Sequence, residues 1–540
     1  MSFPIEYARI APMPARLILL NGNIVTLDPA QSRASALVLR GDEILYVGDD
    51  ATAQSYREHN SETIDLHEKL TLPAFTDSHL HFTGFAQTLE QVNLNGCRSV
   101  EEAVERVRAR ASQTPPGQLI WGSGWNNTDW SNPAYPDRHS LDTAAPLNPV
   151  ILTRKDGHSV WLNSLALAQA NITRETETPA GGVIDREANG EPSGILRENA
   201  IDLLGGSIGA FGAETREPTL LRAIQQAHAT GITTVHNIEG ANALRAFQNL
   251  HAQNKLTLRV VHSIPDGNLE FACKLGIRRG LGDEWLSLRA VKIFADGSLG
   301  SHTAELREPF LDTPNNCGVA VTDSQTMLKT AHDAVEAGID VWIHAIGDYA
   351  ITRVLDVFAT LRRAGYTDAI LRIEHVQHLH PSDIPRFREW NVITSMQPIH
   401  QPSDMFVADA ILGRERAQWT YAFKSLQDAG AILAFGSDCP VERIDPLLGI
   451  HAAVTRQNTA GEPTGGWYPE QKISVSEAVR GFTLGAAIAA GAEQRAGSLR
   501  VGKRADAIVL SENLYEIPPR EILNTKILYT ISSGQVVYCA

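Results

Sequence analysis

The stretch LPAFTDSHLHF, residues 72–82, joins a short apolar run to two histidines, His79 and His81, that are spaced two residues apart. The apolar residues predict a buried strand, and side chains at positions i and i+2 of a strand point to the same face. Two imidazoles on one face can bind one metal ion, although two histidines near a strand end can also make ordinary hydrogen bonds. The stretch therefore predicts a buried strand that ends at a candidate metal site.

Further apolar runs of strand length follow along the chain, at 231–237, 257–263, 288–294, 340–346, 371–377, 391–397 and 431–438. Helix-like segments lie between most of them, for example at 219–230, 323–338 and 350–365, and each of these ends at or beside a glycine. Buried strands that alternate with helices predict an α/β fold, either a (β/α)₈ barrel or a doubly wound sheet.

The two ends of the chain have a different pattern from the middle. Residues 1–70 and 495–540 contain short Val-, Ile- and Leu-rich runs separated by turn residues, which predicts one small β domain built from both termini. The barrel then occupies residues 71–494. Because the gap between the first two strand runs is too long for a loop, we expect an inserted subdomain at approximately 110–220.

Four polar residues stand at or near the C-terminal ends of later strand runs: Lys292, His344, His375 and Asp438. If the strands form a barrel, these side chains meet His79 and His81 at the face where barrel active sites lie. Imidazole and carboxylate together suit zinc and related divalent metals. The six residues are therefore the predicted metal site.

Lys292 is the unusual member, because a protonated ammonium repels a cation. A buried lysine can lose its proton, and the neutral amine can add carbon dioxide to become an anionic carbamate. The alternative is a protonated lysine paired with Asp296 or Asp438. The residues alone leave both readings open.

Composition and charge exclude several classes of partner. The formal net charge is −15 and no basic block is present, so we expect neither nucleic acid nor a membrane as a partner. The five cysteines include no Cys-x-x-Cys pair, and the first residues lack the features of a signal peptide. These features predict a cytoplasmic protein that acts on a small-molecule substrate. We also expect a homodimer, on the general ground that homodimers are the commonest oligomers.

The ordered series of motifs resembles the amidohydrolase superfamily, in the type-three branch that includes N-substituted formamide deformylase. The resemblance covers nearly the whole chain and includes NGNIVTLD, LPAFTDSHLHF, WGSGWNNTDW, LTRKDGHSVWLNSLAL, GGVIDREANGEPSGIL, VKIFADGSLGS, WIHAIGD, IEHVQH, GSDCPV and VGKRADAIVL. It implies a TIM barrel with a composite β-sandwich domain from both termini, an insertion after the first barrel strand, and usually zinc.

The resemblance also implies a role for each site residue. His79 and His81 match the ligands of the more buried metal, Lys292 matches a carboxylated bridging lysine, and His344 and His375 match the ligands of a second metal. Asp438 matches an aspartate that binds metal and handles the proton of the attacking water. Two zinc ions, and carbon dioxide for Lys292, are therefore the implied cofactors.

Two departures from the family pattern concern backbone and substrate. Pro73-Ala74 replaces the usual Pro-Gly before the first barrel strand, where we expect only a local backbone change. His302 stands where the family often has arginine after the lysine motif, which makes recognition of a substrate carboxylate less expected.

The substrate pocket is predicted to include Trp125, His158 and His302. The Trp residues could instead form the core of the insertion, and His236, at the end of its strand run, is read as a pocket or core histidine.

The predicted reaction is hydrolysis of a C–N bond in an amide-like substrate, an N-substituted formamide or related N-acyl amine, by a metal-bound hydroxide. Two alternatives stay open. One is hydrolytic deamination of a heterocycle, for which Glu374 beside His375 would be the relevant acid. The other is a non-catalytic regulatory protein on the same scaffold.

Overall fold

The computed structural model describes residues 16–155, 158–179, 181–204 and 217–540. The chain divides into two compact units. One contains the residues up to Gly84 together with Leu221–Ala540, and the other contains Phe85–Leu220. Among the described residues, no helix has the length and apolar content needed to cross a membrane.

The first unit contains eight parallel strands that are hydrogen-bonded in sequence order. These are β1 (Phe75–Leu80), β2 (Ile232–Asn237), β3 (Arg259–Pro265), β4 (Leu286–Phe294), β5 (Asp340–Ala345), β6 (Leu371–His375), β7 (Val392–Met396) and β8 (Ile432–Phe435). The backbone N–H of Asp438 donates to the His79 carbonyl at 2.7 Å, and that of His81 donates to the Cys439 carbonyl at 2.8 Å. These bonds bring the last strand beside the first, so the predicted (β/α)₈ barrel is confirmed as nearly closed.

The helices form where the sequence has an apolar stripe and a capping residue. Asp323, for example, accepts the backbone N–H groups of Gln325 and Thr326 at the start of one helix, which is followed by Gly338 with a positive φ of 78°. Helix Phe82–Thr88 follows β1, and helix Glu217–Ala229 precedes β2. The α-helices after β2 are Ala241–Ala252, Leu269–Lys274, Ser324–Glu336, Asp348–Arg363, Ile384–Glu389, Gln401–Leu412, Arg414–Ala417, Phe423–Asp428, Pro446–Thr455, Val475–Arg480 and Ala486–Ala489.

Strands from both ends of the chain build two packed sheets in the same unit. One contains Glu43–Gly48, Ala36–Arg40, Arg16–Leu20 and Glu62–Asp65, with helix Asp50–Gln54 nearby; the other contains Gln535–Cys539, Ile527–Ser532, Ala507–Leu510, Leu70–Pro73, Asn23–Val25 and Arg33–Ala34. Ile508 pairs with Leu72, which joins the C-terminal and N-terminal strands directly. The sheets share an apolar core that includes Leu17, Leu37 and Val509. Residues 1–15 of the predicted terminal domain lie outside the described residues.

The second unit has its own sheet, formed by strands Gly182–Arg186, Pro192–Glu198, Ser159–Leu162, Val150–Arg154, Ile120–Trp125 and Val92–Asn93, with helices Val100–Ala111, Arg138–Ala144 and Ser164–Gln169. The unit begins at Phe85 rather than near residue 110, because strand Val92–Asn93 pairs with Ile120–Trp125 and helix Val100–Ala111 contributes to the core. Residues 156–157, 180 and 205–216 of the predicted insertion lie outside the described residues.

Candidate metal centre

One cavity of about 440 Å³ lies at the C-terminal ends of the barrel strands. All six residues of the predicted metal site line it: His79, His81, Lys292, His344, His375 and Asp438. They lie on or directly after β1, β4, β5, β6 and β8. Residues separated by more than 350 positions in sequence thus meet because parallel strands present the same end to one face.

The backbone is left-handed at two of these residues. Asp438 has a φ of 56°, which aspartate tolerates, whereas His375 has a φ of 76° and is strained there. The turn before Asp438 is held by Asp77, whose carboxylate accepts the Ser437 hydroxyl at 2.6 Å and the Ser437 backbone N–H at 3.1 Å. Such strain persists only where surrounding contacts enforce it, and it is frequent at functional sites.

Three of the residues form a compact group of ligand atoms. One atom each from His79, His375 and Asp438 lies within 4.8 Å of the others. Oδ1 of Asp438 is 3.4 Å from Nε2 of His79 and 3.4 Å from Nε2 of His81, and it is buried without a hydrogen-bond partner. A buried carboxylate oxygen without a partner is costly unless a cation satisfies it. The residues therefore fit a divalent metal ion.

Contacts behind the histidines orient their rings. Nδ1 of His79 lies 2.6 Å from Oε2 of Glu374, and Nδ1 of His375 lies 2.9 Å from Oε1 of Gln397. These contacts leave Nε2 of each ring for a metal, as carboxylate or amide partners commonly do for histidine ligands. His344 differs, because its Nε2 donates to the Gly297 carbonyl at 3.0 Å and its Nδ1 is left as the available ligand atom.

Burial sets the protonation states of the histidines. It lowers the pKa of His344 to about 3, and it lowers the pKa of His375 well below its usual value. Burial also opposes protonation of His79, but the Glu374 and Asp438 carboxylates outweigh it and raise the pKa of His79. Two neutral imidazoles and a third that faces two carboxylates form a set that a cation can bind, since metal ligands must be deprotonated.

Lys292 is buried in the cavity wall without a salt bridge to Asp296, to Asp438 or to any other described carboxylate. Its Nζ lies 3.7 Å from the centre of the Phe294 ring. Burial lowers the pKa of Lys292 to about 8, although the charges of Glu374 and Asp438 oppose that shift. The structure therefore does not contain the alternative ion pair of Lys292 with Asp296 or Asp438.

The three residues predicted to contact substrate belong to two units, with Trp125 and His158 in the second and His302 in the first. His302 is absent from the residues that line the cavity; its Nε2 lies 2.9 Å from Oδ2 of Asp312 and its ring packs against Phe310. Trp125 lies in the core of the second unit, where its indole N–H donates to the Leu152 carbonyl at 2.9 Å.

His158 is exposed in the second unit, where its Nδ1 lies 3.0 Å from Oε2 of Glu198. Substrate contact by Trp125, His158 and His302 stays a prediction.

Several cavity residues were missed by the sequence reasoning. His400, Gln377 and Asp404 line the cavity, and Nε2 of His400 lies 3.8 Å from Oδ2 of Asp438. His400 follows the end of β7 much as Asp438 follows the end of β8, and this position was the available signal. The remaining wall is mainly apolar, with Phe294, Leu299, Ile346 and Val441, and it also contains Ser298.

Known proteins resemble the chain over most of its length. It is 33% identical over 531 residues to Putative amidohydrolase YtcJ from Bacillus subtilis (strain 168), covering 96% of this chain and 98% of the relative. It is 27% identical over 551 residues to N-substituted formamide deformylase from Arthrobacter pascens, covering 97% and 98%. A crystal structure of an uncharacterized metal-dependent hydrolase from Pyrococcus furiosus superposes with a TM-score of 0.78 at 30% identity, covering 93% of this chain and 100% of that one.

The chain also matches the sequence profile of the Amidohydrolase family. Because that match extends from residue 62 to residue 538 and agrees with the barrel and with the residues around its cavity, the protein belongs to the amidohydrolase family and is a metal-dependent hydrolase.

Proposed function

We propose that the protein hydrolyses the C–N bond of an amide-like substrate, an N-substituted formamide or a related N-acyl amine, to a carboxylate and an amine. The observation that carries this proposal is the position of Asp438, whose buried Oδ1 faces the Nε2 atoms of His79 and His81 beside an open cavity. A carboxylate in this position can both hold a metal and accept a proton.

We propose two zinc ions as the cofactors. His79, His81, His344, His375, Asp438 and a carboxylated Lys292 would hold them, since all six residues line the cavity. When bound, such metals make water more acidic and polarise a substrate carbonyl.

Lys292 supports this assignment through its chemistry. Its lowered pKa, about 8, supplies some neutral amine near neutral pH. The amine would attack carbon dioxide, forming an N–C bond and losing one proton, and the resulting carbamate is a two-oxygen anion. Its negative charge would suit the histidine-rich wall of the cavity once the metals are present.

Asp438 would move the reaction's proton. Its carboxylate would accept a proton from the attacking water and return it to the departing nitrogen, so that the amine leaves as a neutral product. Burial raises the pKa of a carboxyl group, but here the facing histidines, above all His79, lower the pKa of Asp438 well below its usual value. The group is therefore ionised at neutral pH, the protonation state that a proton acceptor needs.

The cavity wall favours an uncharged substrate. Among the described residues that line it, no arginine is present and Lys292 is the only lysine. A substrate carboxylate would lack its usual guanidinium partner. The apolar side chains of Phe294, Leu299 and Val441 suit the alkyl or aryl group of a substituted amide.

Glu374 argues against the deaminase alternative. Its side chain is absent from the cavity lining and lies behind His79, where it bonds to Nδ1 of that histidine and accepts Nε–H of Arg372. A residue that already bonds to these two partners is poorly placed to protonate a bound heterocycle.

We also propose a cytoplasmic location, which the five unpaired cysteines support.

A product assay on zinc-loaded protein tests the proposed function. The panel would contain alkyl- and aryl-formamides, other N-acyl amines and aminated heterocycles, with amine, carboxylate and ammonia measured separately. We expect equal amounts of amine and carboxylate, lost on chelation and in Lys292→Ala. Ammonia from a ring substrate would overturn the amide assignment, and no product from any substrate would favour the regulatory alternative.

A further inference from the structure

A second cavity, of about 420 Å³, lies at the opposite end of the barrel strands from the metal centre. Its inner wall comes from barrel strands and includes Thr76, Thr234, Ser287 and Arg289 from the N-terminal halves of β1, β2 and β4, together with His236 of β2. On the same strands, His79 and Lys292 lie further along and face the first cavity. The two cavities share no lining residue within the described chain.

His236 presents an unsatisfied donor at this cavity. The residue is only 1% exposed, and its Nδ1 lies 2.9 Å from Nη1 of Arg372. Because a guanidinium can only donate, Nδ1 must accept, and the hydrogen of the neutral ring is on Nε2. Nε2 is buried and has no hydrogen-bond partner among the described residues. A buried donor without an acceptor is costly, and an acceptor bound in the cavity that His236 lines would satisfy it.

Arg289 adds a guanidinium to the same wall. Its Nε lies 2.6 Å from Oδ2 of Asp340, and no hydrogen bond occupies its two terminal amino groups in the described structure. Gly491 makes room for the group, because a Cβ at this position would lie 2.3 Å from Nη2 of Arg289. The hydroxyls of Thr76 and Thr234 lie on the same inner wall. The inner wall therefore offers several donors and no carboxylate.

The acidic residues of this cavity belong to its mouth and already have partners. Asp283 lies 2.7 Å from Nε2 of His251, and Glu284 accepts Nε–H of Arg504 at 2.7 Å. Both carboxylates therefore already have a side-chain partner, whereas Nε2 of His236 has none among the described residues.

We propose that this cavity is a binding site for a small carboxylate. One carboxylate oxygen would accept Nε2–H of His236, and the other would accept a terminal N–H of Arg289, whose planar group suits a carboxylate. The volume accommodates an acid of a few carbon atoms. The site does not depend on the reaction proposed for the metal centre, because it uses none of the residues that line the first cavity.

Titration calorimetry with sodium propionate on the full-length, zinc-loaded protein tests the proposal, with sodium chloride at equal ionic strength as the reference. We expect a binding event that weakens by about tenfold or more in His236→Phe, which keeps an aromatic ring against Trp342 but removes the donor. Thr234→Val should also weaken propionate binding, and it leaves the hydrogen bond between Arg372 and His236 in place. Thr233→Val is the matched control, since neighbouring side chains of a strand point to opposite faces.

A crystal of the protein soaked in propionate provides the second readout, because propionate can also enter the metal cavity. We expect density for the acid between Nε2 of His236 and the guanidinium of Arg289. Water alone at that position, or equal affinities in the wild type, His236→Phe and Thr234→Val, would overturn the proposal. Binding of inorganic phosphate but not propionate would overturn the choice of a carboxylate.

Discussion

Asp438→Asn separates the chemical role of this residue from its structural one. Asparagine has nearly the same shape, and like aspartate it tolerates the left-handed backbone that Asp438 adopts at a φ of 56°. The backbone N–H of residue 438 can still donate to the His79 carbonyl. We therefore expect the metal-free protein to fold, with its free energy of unfolding lowered by about 1–3 kcal/mol because the carboxylate no longer interacts with the facing histidines.

The effect on turnover should be far larger. The substitution removes the negative charge that lies 3.4 Å from Nε2 of both His79 and His81, and with it the group that would accept the proton of water. Loss of a general base typically lowers rates by about 10² to 10⁴. We expect kcat to fall within this range while KM changes little, because the apolar wall that would contact the substrate stays intact.

The assay is initial-rate kinetics on the best substrate of the panel, with zinc content measured on the same samples. Asp404→Asn is the matched control, since Asp404 lines the same cavity but lies outside the cluster of His79, His375 and Asp438. It should retain activity within about tenfold of the wild type. A kcat for Asp438→Asn within about threefold of the wild type, at full zinc content, would refute the proton-transfer role.

Three further predictions concern the lysine, a buried ion pair and the metal. Burial lowers the pKa of Lys292 to about 8, so its neutral fraction grows as pH rises toward that value. At a fixed concentration of dissolved carbon dioxide, reactivation of metal-stripped enzyme should therefore accelerate from about pH 6 to about pH 8 and level off above that; a rate independent of pH under these conditions would contradict this. Nε of buried Arg259 lies 2.8 Å from Oδ2 of Asp506. Arg259→Met should lower the free energy of unfolding in urea by about 3–5 kcal/mol, whereas Arg57→Met, at an exposed position, should leave it nearly unchanged. Equal unfolding midpoints for the two variants would show that the ion pair does not stabilise the fold. Chelation should lower the thermal midpoint by several degrees, because metal binding stabilises only the folded cluster, and an unchanged midpoint would argue against a bound metal.

The barrel could be predicted because its signals are local. Each strand is a short run of apolar residues, and each long helix has an apolar stripe with a cap or glycine at its ends. The polar residues at the strand ends, from His79 to Asp438, were recognisable for the same reason: a polar side chain directly after a buried strand is visible in the sequence. Parallel pairing then forces such residues to one face.

The contacts behind the site could not be predicted in this way. Glu374 reaches Nδ1 of His79 across 295 positions of sequence, and Arg372 lies between Glu374 and His236. No local pattern distinguishes this arrangement from one in which Glu374 faces the cavity. The position of His302 was equally hidden, because its contact with Asp312 depends on the path of a loop.

The sequence by itself determined the α/β class, the succession of strands and helices along the chain and the six polar residues at strand ends, because apolar periodicity and strand-end position depend only on neighbouring residues. The order in which the strands pair, and so the closure into a barrel, is a property of the tertiary structure. The tertiary structure alone decided which side chains face the cavity, which histidine nitrogen is free, and that a second, donor-lined cavity exists at the other end of the same strands. These features depend on distances and burial between residues far apart in the chain. A lysine pKa, a tautomer or an unpaired carboxylate oxygen is set by what surrounds the group in space.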